Sequence, residues 1–283
     1  MTKPDQFYSR QGLQTLLNGF LARATQEPAK GSLALYISGK RCGWLFPGVI
    51  EVLARVPGVQ IHSDSAQIGQ NLPGGQALDE LLAEIALRLK SAGCTPGWRN
   101  ELLDVWTLPD ELASSSLNPS RIGAIERGVM RPLGLTTRAV HLSGWSEDGR
   151  LWVARRALTK ATDPGMWDTL VGGLVGNLED PDLALVRESD EEAGLDSPDI
   201  LGRTPLRTIA HMKRRIPEGY QSEAVLTCEC VLPAHVTPRN RDGEVMEIQL
   251  LDSETLIRML RDDAFTLEAS IVITEDLWRR AAG

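Results

Sequence analysis

The segment GLVGNLEDPDLALVRESDEEAGL, Gly173–Leu195, contains the most informative pattern of this 283-residue chain. Asp180 and Pro181 are typical of a helix N-terminus, because aspartate caps the first turn and proline tolerates the first helical position. Gly194 is typical of the residue that ends a helix in a left-handed conformation. The segment therefore predicts a short helix of about three turns between these two ends.

Three glutamates of this helix, Glu188, Glu191 and Glu192, stand at positions i, i+3 and i+4 and share one face. Like charges at this spacing repel one another by a few tenths of a kcal/mol per pair. Hard divalent cations such as Mg²⁺ bind such oxygen clusters, usually together with substrate phosphates. A merely solvated acidic face is the alternative, but the fixed distances to Glu179 and Arg187 favour a metal site.

The opposite face of the same helix carries the apolar residues Leu183, Val186 and Ala193, which we expect to pack inward. Ser189 also falls on this inner face. A buried hydroxyl is normally hydrogen-bonded, so we expect Ser189 to have a hydrogen-bond partner there.

The segment resembles the signature of the Nudix hydrolases, G-x5-E-x7-R-E-U-x-E-E-x-G-U, in which U is a bulky aliphatic residue. Seven fixed letters match and Leu195 satisfies the last U, whereas Ser189 stands where the family has Ile, Leu or Val. The resemblance implies an α/β fold, the Nudix α/β/α sandwich with a mixed sheet. It also implies a pyrophosphohydrolase that cleaves the phosphoanhydride bond of a small-molecule diphosphate.

The resemblance further implies a metal site for Mg²⁺ or Mn²⁺, formed by Glu188, Glu191 and Glu192 with the carbonyl of Gly173. The matching arginine of the family, here Arg187, orients the catalytic acids. In this mechanism the metals lower the pKa of a bound water, and hydroxide attacks phosphorus to split the P–O–P bridge.

Further candidate residues lie outside the signature. Glu244, in a glycine-containing turn, is a candidate catalytic glutamate, and the general base is left open between Glu191 and Glu244. Trp167 offers a flat face for a heteroaromatic ring, although a place in the core is equally compatible with its position. Arg215, in the run Lys-Arg-Arg, is a candidate for binding the diphosphate, with a solvated loop as the alternative.

Other stretches resemble one Nudix subgroup, namely Gly97–Val105, Arg131–Trp145, Leu151–Gly173 and Arg239–Leu251. Its members resemble the Nudix part attached to thiamine pyrophosphokinases in fungi, or stand alone with an extra N-terminal domain. This resemblance implies a substrate like thiamine diphosphate, including an oxidised form that is cut to the monophosphate. Nucleoside diphosphate derivatives are the alternative, and an isoprenoid diphosphate isomerase or a non-catalytic Nudix-fold binding protein ranks below both.

Composition excludes several classes of protein. A net charge of -8 and a pI near 5.2 argue against a nucleic-acid partner. No apolar run is long enough to cross a membrane, and MTKPDQFYSR lacks the features of a signal peptide. The four cysteines lack zinc-site spacing and are expected to be reduced thiols. We therefore expect a cytoplasmic protein, and the sequence leaves its oligomeric state open.

The chain is predicted to have two domains, an N-terminal accessory α+β domain at 1–118 and a Nudix hydrolase domain at 119–283. The small polar segment Ser114–Ser120 marks the boundary. Helices are predicted at Gln11–Gln26, Leu78–Lys90, Ser253–Arg261 and Leu267–Arg279. Strands are predicted at Leu33–Ile37, Arg41–Phe46, Arg138–Trp145, Arg150–Arg155, Thr169–Val171, Glu223–Leu232 and Val245–Leu251.

Limited proteolysis tests this boundary. We expect the first cut within Ser114–Ser120, because exposed segments of small polar residues are preferred sites of nicking. The cut is located by mass spectrometry of the fragments. Early cleavage inside 138–251, with Ser114–Ser120 intact, would instead indicate a single fused domain.

Overall fold

A computed structural model describes residues 9–95, 97–108, 119–160 and 162–281 of the chain. Within these ranges the helices are α1 (Arg10–Arg23), α2 (Ile50–Leu53), α3 (Gln76–Ser91), α4 (Pro181–Ala193), α5 (Ser253–Arg261) and α6 (Leu267–Arg280). The strands are β1 (Leu33–Ile37), β2 (Lys40–Leu45), β3 (Val59–Ile61), β4 (Ser65–Ile68), β5 (Leu102–Trp106), β6 (Arg121–Glu126), β7 (Thr136–Trp145), β8 (Leu151–Arg156), β9 (Trp167–Thr169), β10 (Val171–Leu174), β11 (Arg207–Ile216), β12 (Gly219–Val231) and β13 (Val245–Leu251).

The first part of the chain forms a four-stranded sheet with the order β2-β1-β4-β3. Strands β1 and β4 are parallel, and the other neighbours are antiparallel. Helix α3 buries Leu82 against this sheet, in a core cluster that also holds Leu35 of β1. The same cluster continues to Leu103 of β5 and Ile125 of β6. The N-terminal sheet and the β5–β6 pair therefore share one core.

The second sheet contains seven strands within the described residues. Its path is β11-β12-β7-β8-β13, with β10 paired to β7 and β9 paired to β8. Strands β12 and β7 run parallel, from the pair Ser222–Thr136 to the pair Val231–Trp145. The other pairs are antiparallel, so the sheet is mixed, as predicted.

Helices cover both faces of the mixed sheet. Val140 and Leu142 of β7 pack with Leu185 of α4 in one core cluster. Trp145, at the end of the same strand, packs with Ile273 of α6 in another cluster. Since alternate residues of a strand point to opposite faces, α4 and α6 lie on opposite sides of the sheet. The predicted α/β/α sandwich of the Nudix fold is confirmed.

Helix α1 packs on the second sheet and not on the first. Leu13, Leu17 and Phe20 are buried in the cluster that contains α6. Beyond the helix, Gln26 N donates to the carbonyl of Lys213 in β11 at 2.8 Å. The proposed boundary at 118/119 stays a prediction, because most of Ser114–Ser120 lies outside the described residues.

The elements with clear local signals occur where the sequence predicts them. Strand β13 and helix α5 have the predicted bounds, whereas the single strand predicted at Thr169–Val171 is divided at Leu170 into β9 and β10. The sequence does not predict helix α2 or strands β3, β4, β5, β6 and β11. No helix in the described ranges is both long and apolar enough to cross a membrane.

The cysteines are free thiols in the structure. Burial raises the pKa of both Cys42 and Cys228 to about 12, so these thiols stay protonated at neutral pH. Cys228 and Cys230 lie on the same face of β12 and pack in the core beside α4. Their role in the structure is packing, in agreement with the prediction of structural thiols.

The contact between α1 and the second sheet predicts the effect of Phe20→Ala. The ring is buried among residues of α5 and α6, so we expect its loss to reduce the free energy of unfolding by about 3 kcal/mol or more. Urea unfolding followed by circular dichroism measures this change. Asn18→Ala, on the exposed side of the same helix, should stay within about 0.5 kcal/mol of the parent. Equal stabilities of the two variants would contradict the packing of α1.

Candidate active site

Helix α4 has the ends that the sequence predicts. The side chain of Asp180 accepts a hydrogen bond from Asp182 N at 2.8 Å, and Pro181 is the first helical residue. The helix ends at Gly194 with a φ of 62°. A Cβ at Gly194 would also lie 2.8 Å from the carbonyl oxygen of Arg239, so glycine is required both for the turn and for the contact.

The inner face of α4 differs from the prediction at Leu183. The buried residues are Ala184, Leu185, Ser189, Glu192 and Ala193, whereas Leu183 is 65% exposed. The expectation that Leu183 packs inward is wrong, because at about 100° per residue it lies nearly opposite Leu185, which enters the core. The hydroxyl of Ser189 is buried without a hydrogen-bond partner within the described part of the chain, so the expected partner is absent.

Arg187 connects the acidic residues of the site. Its guanidinium donates to both carboxylate oxygens of Glu179, at 2.9 and 3.0 Å, and to Glu188 Oε1 at 2.7 Å. It also lies 3.3 Å from Glu191 Oε2 and 3.2 Å from the carbonyl oxygen of Leu174. Burial raises the pKa of Glu179, but the bonds from Arg187 outweigh it and lower that pKa. Arg187 therefore orients several acids at once and is more than a surface partner of Glu191.

Glu188 lies directly against the backbone of β10. A Cβ added to Gly173 would stand 2.2 Å from Glu188 Oε1, so no residue other than glycine fits there without displacing the carboxylate. Burial raises the pKa of Glu188, although Arg187 opposes this shift. The second glycine of the Gly172–Gly173 pair thus sets how closely α4 approaches the strand.

Glu192 is held between a backbone amide and a lysine. Its Oε2 accepts a hydrogen bond from Gly172 N at 2.9 Å, and its Oε1 lies 3.3 Å from Lys160 Nζ. The same ammonium donates a hydrogen bond to Glu244. Burial raises the pKa of Glu192 to about 7, against the opposing effect of Lys160. Lys160 therefore joins a signature glutamate to the candidate glutamate outside the signature.

The donor set fits a hard divalent cation. Within the described residues, no three carboxylate, imidazole or thiol groups already converge as a metal site. Instead, Arg187 neutralises Glu188 and Glu191, and Lys160 neutralises Glu192. The carboxylates are oxygen donors that need a nearby positive charge. Mg²⁺ and Mn²⁺ bind oxygen donors and supply such a charge. The side chains would have to turn from the protein cations to bind a metal together.

A cavity of about 270 Å³ adjoins this network. Gly172, Gly173, Lys160 and Glu244 line it, together with a separate polar cluster of Gln221, Glu223 and Glu268. The guanidinium-bearing residues that line it are Arg99, Arg127, Arg131 and Arg156. Pockets of roughly this size, with a few convergent polar groups, are typical of small-molecule sites.

Two residues predicted to bind substrate lie elsewhere. Trp167 packs beside α6, and its backbone exchanges hydrogen bonds with Ala264 and Thr266. Arg215 is exposed on β11, where its amide donates to Gln26 Oε1. As far as the chain is described, neither residue lines the cavity, so the geometry does not support a substrate contact for either. Trp167 is partly buried and packs against the core cluster around α6, which agrees with the alternative of a structural role.

Sequence reasoning missed Lys160 and the cluster of Gln221, Glu223 and Glu268. Lys160 carried no signal, since it is an isolated lysine in a loop. Gln221 and Glu223 did carry a sequence signal. They are polar residues at alternate positions just before an apolar run, a pattern that predicts a strand with one polar face.

Comparison with known proteins assigns part of the chain to a family. Residues 135–270 match the family model of the NUDIX domain. Nudix hydrolase 24, chloroplastic, of Arabidopsis thaliana is 31% identical over 203 residues, 70% of this chain and 53% of that protein. An uncharacterized protein of Saccharomyces cerevisiae is 26% identical over 218 residues, 71% of this chain and 60% of that protein.

A crystal structure of a protein from Deinococcus radiodurans has a TM-score of 0.43 and 21% identity, and it covers 65% of this chain and 100% of its own. The chain spans about half the length of the plant relatives that it matches. The match of residues 135–270 to the NUDIX domain model agrees with the signature at Gly173–Leu195 and with the observed sandwich.

Proposed function

We propose that this chain is a metal-dependent hydrolase that cleaves the phosphoanhydride bond of a small-molecule diphosphate. The observation that carries the proposal is the network in which Arg187 and Lys160 hold the signature glutamates and Glu244 beside the cavity. Glu188 and Glu192 are the acids of this set that are largely buried, and burying them is costly unless cations compensate their charge. The retention of the complete set favours catalysis over a silent binding protein.

Different residues of the proposed site have different roles in catalysis. Glu188, Glu191 and Glu192, with the Gly173 carbonyl, would hold Mg²⁺ or Mn²⁺, which neutralises the diphosphate and lowers the pKa of water. Arg187 fixes Glu188 and Glu191, and the Gly172 amide fixes Glu192. These contacts hold the acids next to the backbone of β10, and a bound metal ion would take the place of the protein cations there.

Glu244 is the stronger candidate for the general base. Among the residues that the structure describes, it lines the cavity, whereas Glu191 does not. Burial raises its pKa, but the hydrogen bond and charge of Lys160, together with the charges of Arg127 and Arg99, lower it overall, so the carboxylate is ionised at neutral pH. An ionised carboxylate within the cavity is able to accept a proton from water.

For the substrate, we propose a thiamine-diphosphate-like compound, with nucleoside diphosphate derivatives as the second candidate. The support for the first is the resemblance of Arg131–Trp145, Leu151–Gly173 and Arg239–Leu251 to one Nudix subgroup. The second candidate is kept because the Nudix domain indicates a diphosphate linkage but does not specify the organic group.

The metal-site assignment predicts the effect of Glu192→Gln. Hydrolysis should require Mg²⁺ or Mn²⁺, and the variant should lower kcat by about a hundredfold or more, as loss of one electrostatic group in an active site does. Glutamine keeps the size of the buried side chain, so the melting temperature is measured alongside to confirm folding. Glu254→Gln, an exposed change on α5, is the matched control and should keep full activity. Near-normal turnover by folded Glu192→Gln at saturating Mg²⁺ would remove the assignment.

A substrate panel tests the choice of organic group. We expect oxidised thiamine diphosphate analogues to be hydrolysed to monophosphates with a higher kcat/KM than ADP-ribose or nucleoside triphosphates. Phosphate-ester products are quantified by chromatography at equal enzyme concentration. A preference for a nucleotide by about tenfold or more, ~1.4 kcal/mol, would overturn the thiamine assignment and leave the hydrolase standing.

A further inference from the structure

We propose that Gln221, Glu223 and Glu268 form a second subsite of the cavity, which binds a non-anionic group rich in N–H or O–H donors. The inference rests on the proposed function, since this group would be the organic part of the diphosphate substrate. The subsite is separate from the signature glutamates, and residues of β12 and α6 build it.

The three side chains are joined by hydrogen bonds and lie at the cavity wall. Gln221 and Glu223 are alternate residues of β12 and therefore point to the same face, where Glu268 lies in the first turn of α6. Gln221 Nε2 donates to Glu268 Oε1 at 2.8 Å and to Glu223 Oε1 at 3.3 Å. Thr137 Oγ1 donates to Glu223 Oε2 at 2.8 Å. All three residues are buried, with exposed fractions of 4%, 8% and 9% for Gln221, Glu223 and Glu268.

Two acceptor atoms of this cluster lack partners. Gln221 Oε1 and Glu268 Oε2 are buried and have no hydrogen-bond partner within the described ranges. The guanidinium of Arg214 lies 3.8 Å from Glu268 Oε2, which is too far for a hydrogen bond. Buried polar atoms are rarely left unpaired, so these two acceptors point to donors that the described residues do not supply.

His141 adds a third acceptor to the same cavity. Thr169 Oγ1 lies 2.8 Å from the carbonyl oxygen of Val171 and 2.9 Å from His141 Nδ1. When the hydroxyl donates its proton to the carbonyl, Nδ1 is the donor to Thr169. The neutral ring then presents a bare Nε2, which is buried and unpaired within the described residues. Burial lowers the pKa of His141, which keeps the ring neutral at physiological pH.

The charge of the cluster determines which ligand group it accepts. Burial, followed by the nearby Glu268, raises the pKa of Glu223 to about 7, because two carboxyl groups lie close together in a buried place. Such a pair repels phosphate and attracts a neutral or cationic donor. The phosphates of the ligand are bound instead by Lys160 and by the arginines that line the rest of the cavity. An amino-substituted nitrogen heterocycle or a polyol has the required donors, whereas an alkyl chain has none.

A purely structural role, tying β12 to α6, is the alternative. It predicts that substitutions change stability without changing the discrimination between ligands. Ligand discrimination is therefore the quantity to measure.

Isothermal titration calorimetry on the full chain with Mg²⁺ provides the test. The probes are thiamine monophosphate and AMP, which carry donors on the organic group, and phenethyl phosphate, which has an apolar ring without them. We expect at least one donor-bearing ester to bind about tenfold or more tightly than phenethyl phosphate. Gln221→Met and Glu268→Gln should each abolish most of this ratio, whereas Gln249→Met, the same change on β13 outside the cavity, should keep it.

Equal binding of all three esters by the parent chain would overturn the subsite, as would an unchanged ratio in the folded variants. Should Gln221→Met fail to fold, Glu268→Gln alone decides. Hydrolysis of the corresponding diphosphates is measured on the same proteins. A chain that discriminates between the esters without hydrolysis refutes the proposed function alone. Hydrolysis without discrimination refutes the subsite alone.

Discussion

The close approach of α4 to β10 is the constraint on which the rest of the site depends. It is possible because Gly172 and Gly173 have no side chains, so Glu188 can lie against the strand and Glu192 can accept a hydrogen bond from its amide. Any Cβ at Gly173 would displace the Glu188 carboxylate. Helix α4 can lie this close to β10 because Gly194 ends it in a left-handed turn, next to the carbonyl oxygen of Arg239.

Bringing several carboxylates to one place requires positive charge, and the chain supplies it from two directions. Arg187 comes from α4 itself and reaches back to Glu179, while Lys160 comes from the loop after β8. Each cation contacts more than one acid, so neither behaves as an isolated surface pair. The arrangement keeps the acids oriented and also leaves them able to exchange a protein cation for a metal ion.

The sequence predicts the parts of the fold whose signals are local. The ends of α4 follow from an aspartate, a proline and a glycine, and α5 and β13 follow from short periodic patterns with clear bounds. The rotation of α4 was less predictable, since Leu183 and Leu185 are both apolar and only packing against the sheet determines which is buried. Trp167 was ambiguous for the same reason.

Only the part of the candidate site that lies within the signature motif was predictable from the sequence. The spacing of Glu188, Glu191 and Glu192 identified the acidic face, but not the cations that neutralise it or the cavity beside it. Lys160 meets Glu192 through a contact between residues 32 positions apart in the chain, which no local pattern records. The cluster of Gln221 and Glu268 depends on the docking of α6 onto β12, a tertiary event of the same kind.

The cavity also relates the two parts of the chain. Arg99, from the predicted accessory domain, lines the cavity together with residues of the Nudix domain. Its charge, together with that of Arg127, acts in the same direction as Lys160 to lower the pKa of Glu244. Since α1 also packs on the second sheet, residues before the Nudix domain contribute both to its stability and to the electrostatics of its site. Arg99 and α1 thus bring residues on the N-terminal side of the proposed boundary to the cavity and to the second sheet, where they act on the same site as Lys160.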